Sequence, residues 1–155
     1  MRHGTLGTGT VLGIGIALAG TLGMAPAAAA VTPDTATLSF DCGSYGSGTA
    51  TLTAAQDGTA ATIDVSTSAI TSPIDIAANS VTSTLTLTKN GSGTTEFSGS
   101  ANPAIPAGSA VSTGPLSGTV AAGDSLEATS LQVVVLGTTV TCEATSAQSP
   151  GPFVF

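Results

Sequence analysis

From residue 35 to residue 42 the chain alternates polar and apolar side chains without a break. Ala36, Leu38, Phe40 and Cys42 fall on one side, and Thr35, Thr37, Ser39 and Asp41 on the other. A period of two marks a half-buried β-strand. The alternation returns over residues 49–56, after a glycine- and serine-rich loop (43–48) that carries the only tyrosine, Tyr45. Asp57-Gly58 then reads as a two-residue hairpin loop, which pairs Ala54 with Ala61, Leu52 with Ile63 and Ala50 with Val65. Ser72-Pro73 interrupts the pattern, and Ile74 and Ile76 mark a short strand at an edge.

Residues 81–89 form the next strand, with Leu85 and Leu87 inward. A two-residue loop at Asn90-Gly91 would set Leu85 against Glu96. A three-residue loop over 90–92 sets it against Phe97 and keeps the faces consistent. Residues 102–115, rich in proline, glycine and serine, read as a long crossing between sheets. Short strands follow at 116–120 and 126–128. The last hairpin turns on Gly137-Thr138, a type II′ loop with glycine at the position that needs positive φ. It pairs Val135 with Val140, Val133 with Cys142 and Leu131 with Ala144, so Cys142 points inward. Seven to nine short strands, no convincing helix and regular turn signals predict a single antiparallel immunoglobulin-like β-sandwich.

Composition changes this picture at the N-terminus. Arg2 and His3, an apolar run over 11–22 and the small residues 25–30 have the order of a secretory leader, cut to leave Val31 first. The apolar run is too short to span a bilayer comfortably, and no later stretch is long and apolar enough for a transmembrane helix. The expected division is a leader at 1–30, a sandwich domain at 31–145 and a C-terminal tail at 146–155. Without the leader, Lys89 is the only basic side chain against nine carboxylates, a side-chain charge of −8. That balance argues against nucleic acid, whose phosphates need clustered Lys and Arg, and disfavours anionic membranes. Two cysteines in an exported chain read as one disulfide, Cys42–Cys142, lying across the sheets or between neighbouring strands. The expected location is secreted, extracellular or cell-wall associated.

Leu38-Ser39-Phe40-Asp41-Cys42 soon after a leader, then threonine- and valine-rich strands, then a closing Val140-Thr141-Cys142, resembles a family of actinobacterial exported β-sandwich domains of unknown function. The resemblance implies a disulfide-closed sandwich at the cell exterior and supplies no active site.

The residues offer little catalytic chemistry. No histidine follows the leader, which removes Ser–His–Asp and Cys–His mechanisms; Lys89 sits beside a turn as a solvated strand end. Glycoside hydrolysis needs two carboxylates flanking a groove, whereas Asp41, Asp64, Asp75, Glu96, Glu127 and Glu143 fall at outward positions or loop edges. Zinc lacks ligands once both cysteines are paired, and no calcium loop of the D-x-D-x-D-G kind occurs. Asn90-Gly91-Ser92 matches a glycosylation acceptor but reads as a turn. No catalytic residue, metal or cofactor is assigned. The reading is a non-enzymatic protein with a structural or interaction role, toward a protein or cell-envelope partner or toward itself.

Contact candidates are Tyr45, Val134, Leu136, Phe153 and Phe155. The run 133–136 is apolar on both sides, so either the tail phenylalanines cover Val134 and Leu136 or these form an exposed strip for a partner. A terminal Phe155 also occurs in outer-membrane barrels, but their aromatic girdles are missing. The alternative function is a small-molecule binding module with a cleft between the sheets, lined from Phe40, Tyr45, Phe97 or the tail, as in apo-chromoproteins of exported antibiotics.

Overall fold

The structure, a computed structural model, describes residues 30–155; the leader expected at 1–30 lies outside them but for Ala30. The alternating stretches form β1 (Thr35–Asp41), β2 (Ser47–Asp57), β3 (Ala60–Thr71), β4 (Thr82–Lys89), β5 (Gly93–Gly99), β6 (Ala110–Thr119), β7 (Ser125–Val135), β8 (Thr138–Ala144) and a two-residue β9 (Phe153–Val154). A 3-10 turn, η1 (Gly43–Tyr45), joins β1 to β2. All pairings are antiparallel, in the order β4-β5-β6-β3-β2-β1-β8-β7-β9.

The predicted sandwich is overturned by one ladder. β4 pairs with β5 on one edge and with β7 on the other, from Thr82↔Val134 to Lys89↔Leu126. That second pairing closes the sheet on itself, giving an eight-stranded antiparallel barrel. Alternation cannot distinguish the two architectures, because both bury one face of every strand. Outward positions such as Thr35, Thr37, Thr51 and Thr53 are exposed, while Ala36, Leu38, Leu52 and Ala54 are buried inside. A lipid-spanning barrel needs the inverse arrangement.

Registers differ in detail. Leu85 opposes Phe97 across the loop 90–92, as the face argument requires. In the β2–β3 hairpin the loop is Gly58-Thr59, so Ala54 opposes Ile63 and Leu52 opposes Val65. Only Gly58 takes a positive φ there, 62°, and Asp57 stays in the strand rather than adopting that conformation itself. In the β7–β8 hairpin the loop is Leu136-Gly137, with φ of 49° and 76°. Val135 therefore opposes Thr138, Val133 opposes Val140 and Leu131 opposes Cys142. Each correction moves the pairing by two residues, one full pleat, so the inward faces survive.

Four other expectations change. Ile76 makes only an isolated bridge with Ile105, not a strand. The supposed crossing at 102–115 contains the start of β6, and the short strand at 126–128 is the opening of the eleven-residue β7. Residues 146–155, set apart in the sequence as a tail, are laced into the wall. Ser149 bridges Thr37, Val154 bridges Thr32, and Phe153 pairs with Leu126.

The interior is filled unevenly. Phe97, Phe153, Leu87, Leu116, Leu126 and Ile63 are fully buried around one end of the barrel, joined by Phe155. Phe153 and Phe155 meet edge to face at 6.4 Å, a favourable aromatic geometry. Phe97 lies flat on Gly118, where a β-carbon would come within 2.5 Å of the ring. Three of the four phenylalanines thus plug this end. Above them the inward residues, apart from Phe40 and the two cysteines, are valine, leucine, isoleucine, alanine, serine and threonine.

Candidate binding cavity

Those smaller side chains do not fill the other half of the barrel. A cavity of about 720 Å³ opens there, within the roughly 300–1,000 Å³ typical of small-molecule sites. An eight-stranded barrel is just wide enough to be filled by side chains or to hold one small ligand; this one does the first at one end and has room for the second at the other. Its inward residues record the space. Val65, Leu131, Val133 and Val140 face the axis yet are only half-buried, whereas same-face residues at the plugged end, such as Ile63 and Leu126, have no exposed surface. Leu52, Leu85 and Ala128 make the floor, lining the cavity while remaining part of the core.

The disulfide reinforces one of the two thinly paired seams of the wall, the other being β5–β6 with the single pair Ser98↔Ser117. β1 and β8 share only two paired positions, Phe40↔Ala144 and Asp41↔Glu143. Immediately above them Cys42 and Cys142 are bonded, linking neighbouring strands rather than crossing the interior. Both cysteines line the cavity. Below this short ladder the gap between β1 and β7 is bridged by the C-terminal segment. There buried Gln148 accepts a hydrogen bond from Ala128 N (3.1 Å) and donates one to Gly151 O (2.9 Å), so its side chain serves the edge of β7 where no strand lies beside it.

The mouth is apolar. Tyr45 on η1, Ile74 and Leu136 line the cavity and are 53%, 48% and 75% exposed. Asn102, 1% exposed, fixes the loops on one side of the opening. Its Oδ1 accepts from Ser80 N and Val81 N, and its Nδ2 donates to Ala77 O and Pro103 O, all at 2.9 Å. All four hydrogen bonds of its amide are satisfied. Ile76, Val81 and Ile105 are thereby presented to the cavity.

No Asp, Glu, Lys, Arg or His side chain lines this space. Lys89 lies at the plugged end, 2.9 Å from Asp124 Oδ2. Asp124 also accepts from Ala121 N and from Asn90 Nδ2, and these contacts hold its carboxyl down at about 2. Asn90 Oδ1 accepts from Ser125 N, so the side chain of the glycosylation-like triplet works as a latch between loops. Asp64 sits outside on β3, where partial burial pushes its carboxyl up. Asp41 and Glu143 face each other across β1 and β8 but lie outside the cavity. Among the described residues no three His, Cys, Asp or Glu side chains converge.

Of the contact candidates drawn from the sequence, Tyr45 and Leu136 belong to the mouth. Val134 does not line the cavity. Phe153 and Phe155 are buried in the plugged end and leave Leu136 bare, which corrects the expectation that they cover it. Phe40 lines the cavity and Phe97 lies beneath it. Ser83, Ile105 and Asn102 were not singled out by sequence pattern; an Asn-Pro dipeptide between glycine-rich segments was the only hint of the last.

One polar group stands out. Ser83, inward on β4 between Gly99 and Val133, is fully buried, borders the cavity, and its hydroxyl has no hydrogen-bond partner. The other buried hydroxyls of the lining are engaged: Thr113 Oγ1 accepts from Val65 N and donates to Gly114 O, and Ser72 Oγ donates to Ile74 O.

The described residues form a disulfide-bonded all-β barrel, and such a bond fits an oxidising compartment. No family model matches the chain, and neither the curated proteins nor the solved structures contain a significant match.

Proposed function

We propose that this chain is an exported, non-enzymatic binding module that holds a small apolar molecule in the open half of its barrel. The observation that carries this reading is the 720 Å³ cavity, formed by inward-facing residues that the fold leaves half-buried. A wall without carboxylate, amine or imidazole groups, whose one phenol (Tyr45) sits exposed at the mouth, offers little general acid or base to a bound substrate, which supports binding over catalysis. Secretion to the cell exterior fits the leader-like N-terminus and the disulfide. An acidic chain whose lone lysine after the leader is engaged by Asp124 suits neither nucleic acid nor an anionic surface. A purely structural or interaction role accounts for the exposed Leu136 but not for the apolar cavity above Leu52 and Leu85.

The test is titration of a neutral environment-sensitive dye, Nile red, into the oxidised protein and into Val133→Trp. The added indole points into the cavity and has room there. Binding to the parent protein, reduced at least tenfold in the variant while its melting temperature holds or rises, supports the reading. Absence of binding to the parent protein, or equal binding by both, overturns it.

A further inference from the structure

Resting on that binding reading, we propose that the occupant is a neutral, mainly hydrocarbon molecule with one hydroxyl or carbonyl oxygen, hydrogen-bonded to Ser83 Oγ. The inference starts from what the cavity withholds. An ionised group carried into this lining would lose its water and find no countercharge, since the chain's lysine lies at the other end of β4 and is held by Asp124. A fatty acid anion or an organic cation therefore does not fit.

A plain hydrocarbon leaves one thing unexplained. Buried hydroxyls find partners in native structures, and Thr113 and Ser72 do so beside the same cavity. Ser83 does not. Water is a poor substitute, because a buried water needs two to four polar partners. The inward neighbours of Ser83 along β4 are Val81 and Leu85, and Val133 stands opposite it on β7. A ligand oxygen brings the missing partner and carries its own apolar body, which the valine and leucine wall accepts. The serine hydroxyl both donates and accepts, so an alcohol or a carbonyl satisfies it equally.

The experiment uses the oxidised chain with bound Nile red, displaced by dodecane, 1-dodecanol or dodecanoate at about pH 8, where the carboxylate is ionised. The alcohol is expected to compete roughly three- to tenfold better than the alkane, the worth of one net hydrogen bond. Dodecanoate should be at least tenfold weaker than the alcohol. In Ser83→Ala the alcohol is expected to fall to the affinity of the alkane, so that its advantage disappears. If the dye and the alkane bind but the alcohol has no advantage, or keeps it in Ser83→Ala, or the carboxylate matches it, the ligand assignment falls and the binding reading stands. If neither dye nor alkane binds, both fall. The ranking on the parent protein needs no variant, so a misfolded Ser83→Ala would still leave the assignment open to refutation.

Discussion

The ammonium of Lys89 sits 2.9 Å from the buried Asp124 carboxylate, at the end of the barrel opposite the cavity mouth. Asp124 thereby joins the loop after β4 to the turn before β7, beside Phe155, whose backbone N–H donates to Asp124 O. The pair secures the plug, and its chemistry predicts how stability responds to acid. The carboxyl of Asp124 is held below its ordinary 3.8, at about 2, first by Lys89 and then by Ala121 N. A depressed carboxyl contributes stability that is complete above its unfolded value and fades as pH falls toward its folded one. Denaturant unfolding of the parent and of Asp124→Asn should differ by a constant amount above about pH 5, with the difference closing between about 4 and 2. Asp64 has the opposite sign: its carboxyl is raised by burial, so Asp64→Asn should stabilise the protein at neutral pH. A pH-independent difference for Asp124→Asn would contradict the assignment.

The disulfide spans 100 residues and closes a seam with two paired positions. Chain entropy assigns a loop of that size roughly 4–5 kcal/mol. Cys42→Ser/Cys142→Ser should lose about 4 kcal/mol in equilibrium unfolding and should also bind Nile red more weakly, because both residues line the cavity. A loss under about 1 kcal/mol would mean that the bridges from Thr32 and Thr37 to the C-terminal segment hold the seam without it.

Leu136 occupies a left-handed conformation, φ 49°, at the tip of the β7–β8 hairpin. Such a backbone costs a branched residue about 1–2 kcal/mol, whereas Asn-Gly is the preferred pair for a turn with both φ positive. Leu136→Asn should therefore raise stability by about 1 kcal/mol while weakening apolar ligands, since the exposed leucine is part of the mouth. Thermal unfolding and dye titration of the same variant check the two halves; a less stable variant would contradict the strain argument.

Asn102 sets the shape of the mouth and does not itself line the cavity. Asn102→Ala strands two N–H and two C=O groups and should cost about 3 kcal/mol. Asn102→Asp keeps the acceptor for Ser80 and Val81 but loses the donors to Ala77 and Pro103, so an intermediate loss is expected. Urea unfolding orders the three proteins; equal stability of parent and alanine variant would show that water replaces the amide.

Much of the wall was legible in the residues themselves. The inward set Ala36, Leu38, Phe40 and Cys42 is buried as the alternation requires, and the conflict of Leu85 with Glu96 was enough to choose the correct loop over 90–92. The other two hairpins were displaced by one pleat, because Gly58 and Gly137 are each flanked by two admissible loops that preserve the faces. At the site, Tyr45 was visible as the only tyrosine, in a loop, and Leu136 as the end of a run apolar on both faces. Ser83 was not, since a serine on an inward face has no local signature of being unpartnered.

By itself the chain determines antiparallel strands with known inward faces, one disulfide and a strongly negative net charge, all of them properties set by neighbours a few residues apart or by counting. Tertiary structure alone decided the rest. The β4–β7 ladder that turns a sandwich into a barrel joins segments far apart in sequence, and a strand edge looks the same whether it ends a sheet or closes one. The cavity is likewise a sum over eight strands: Phe97, Phe153 and Phe155 all arrive at one end, and what remains is too small to fill the other.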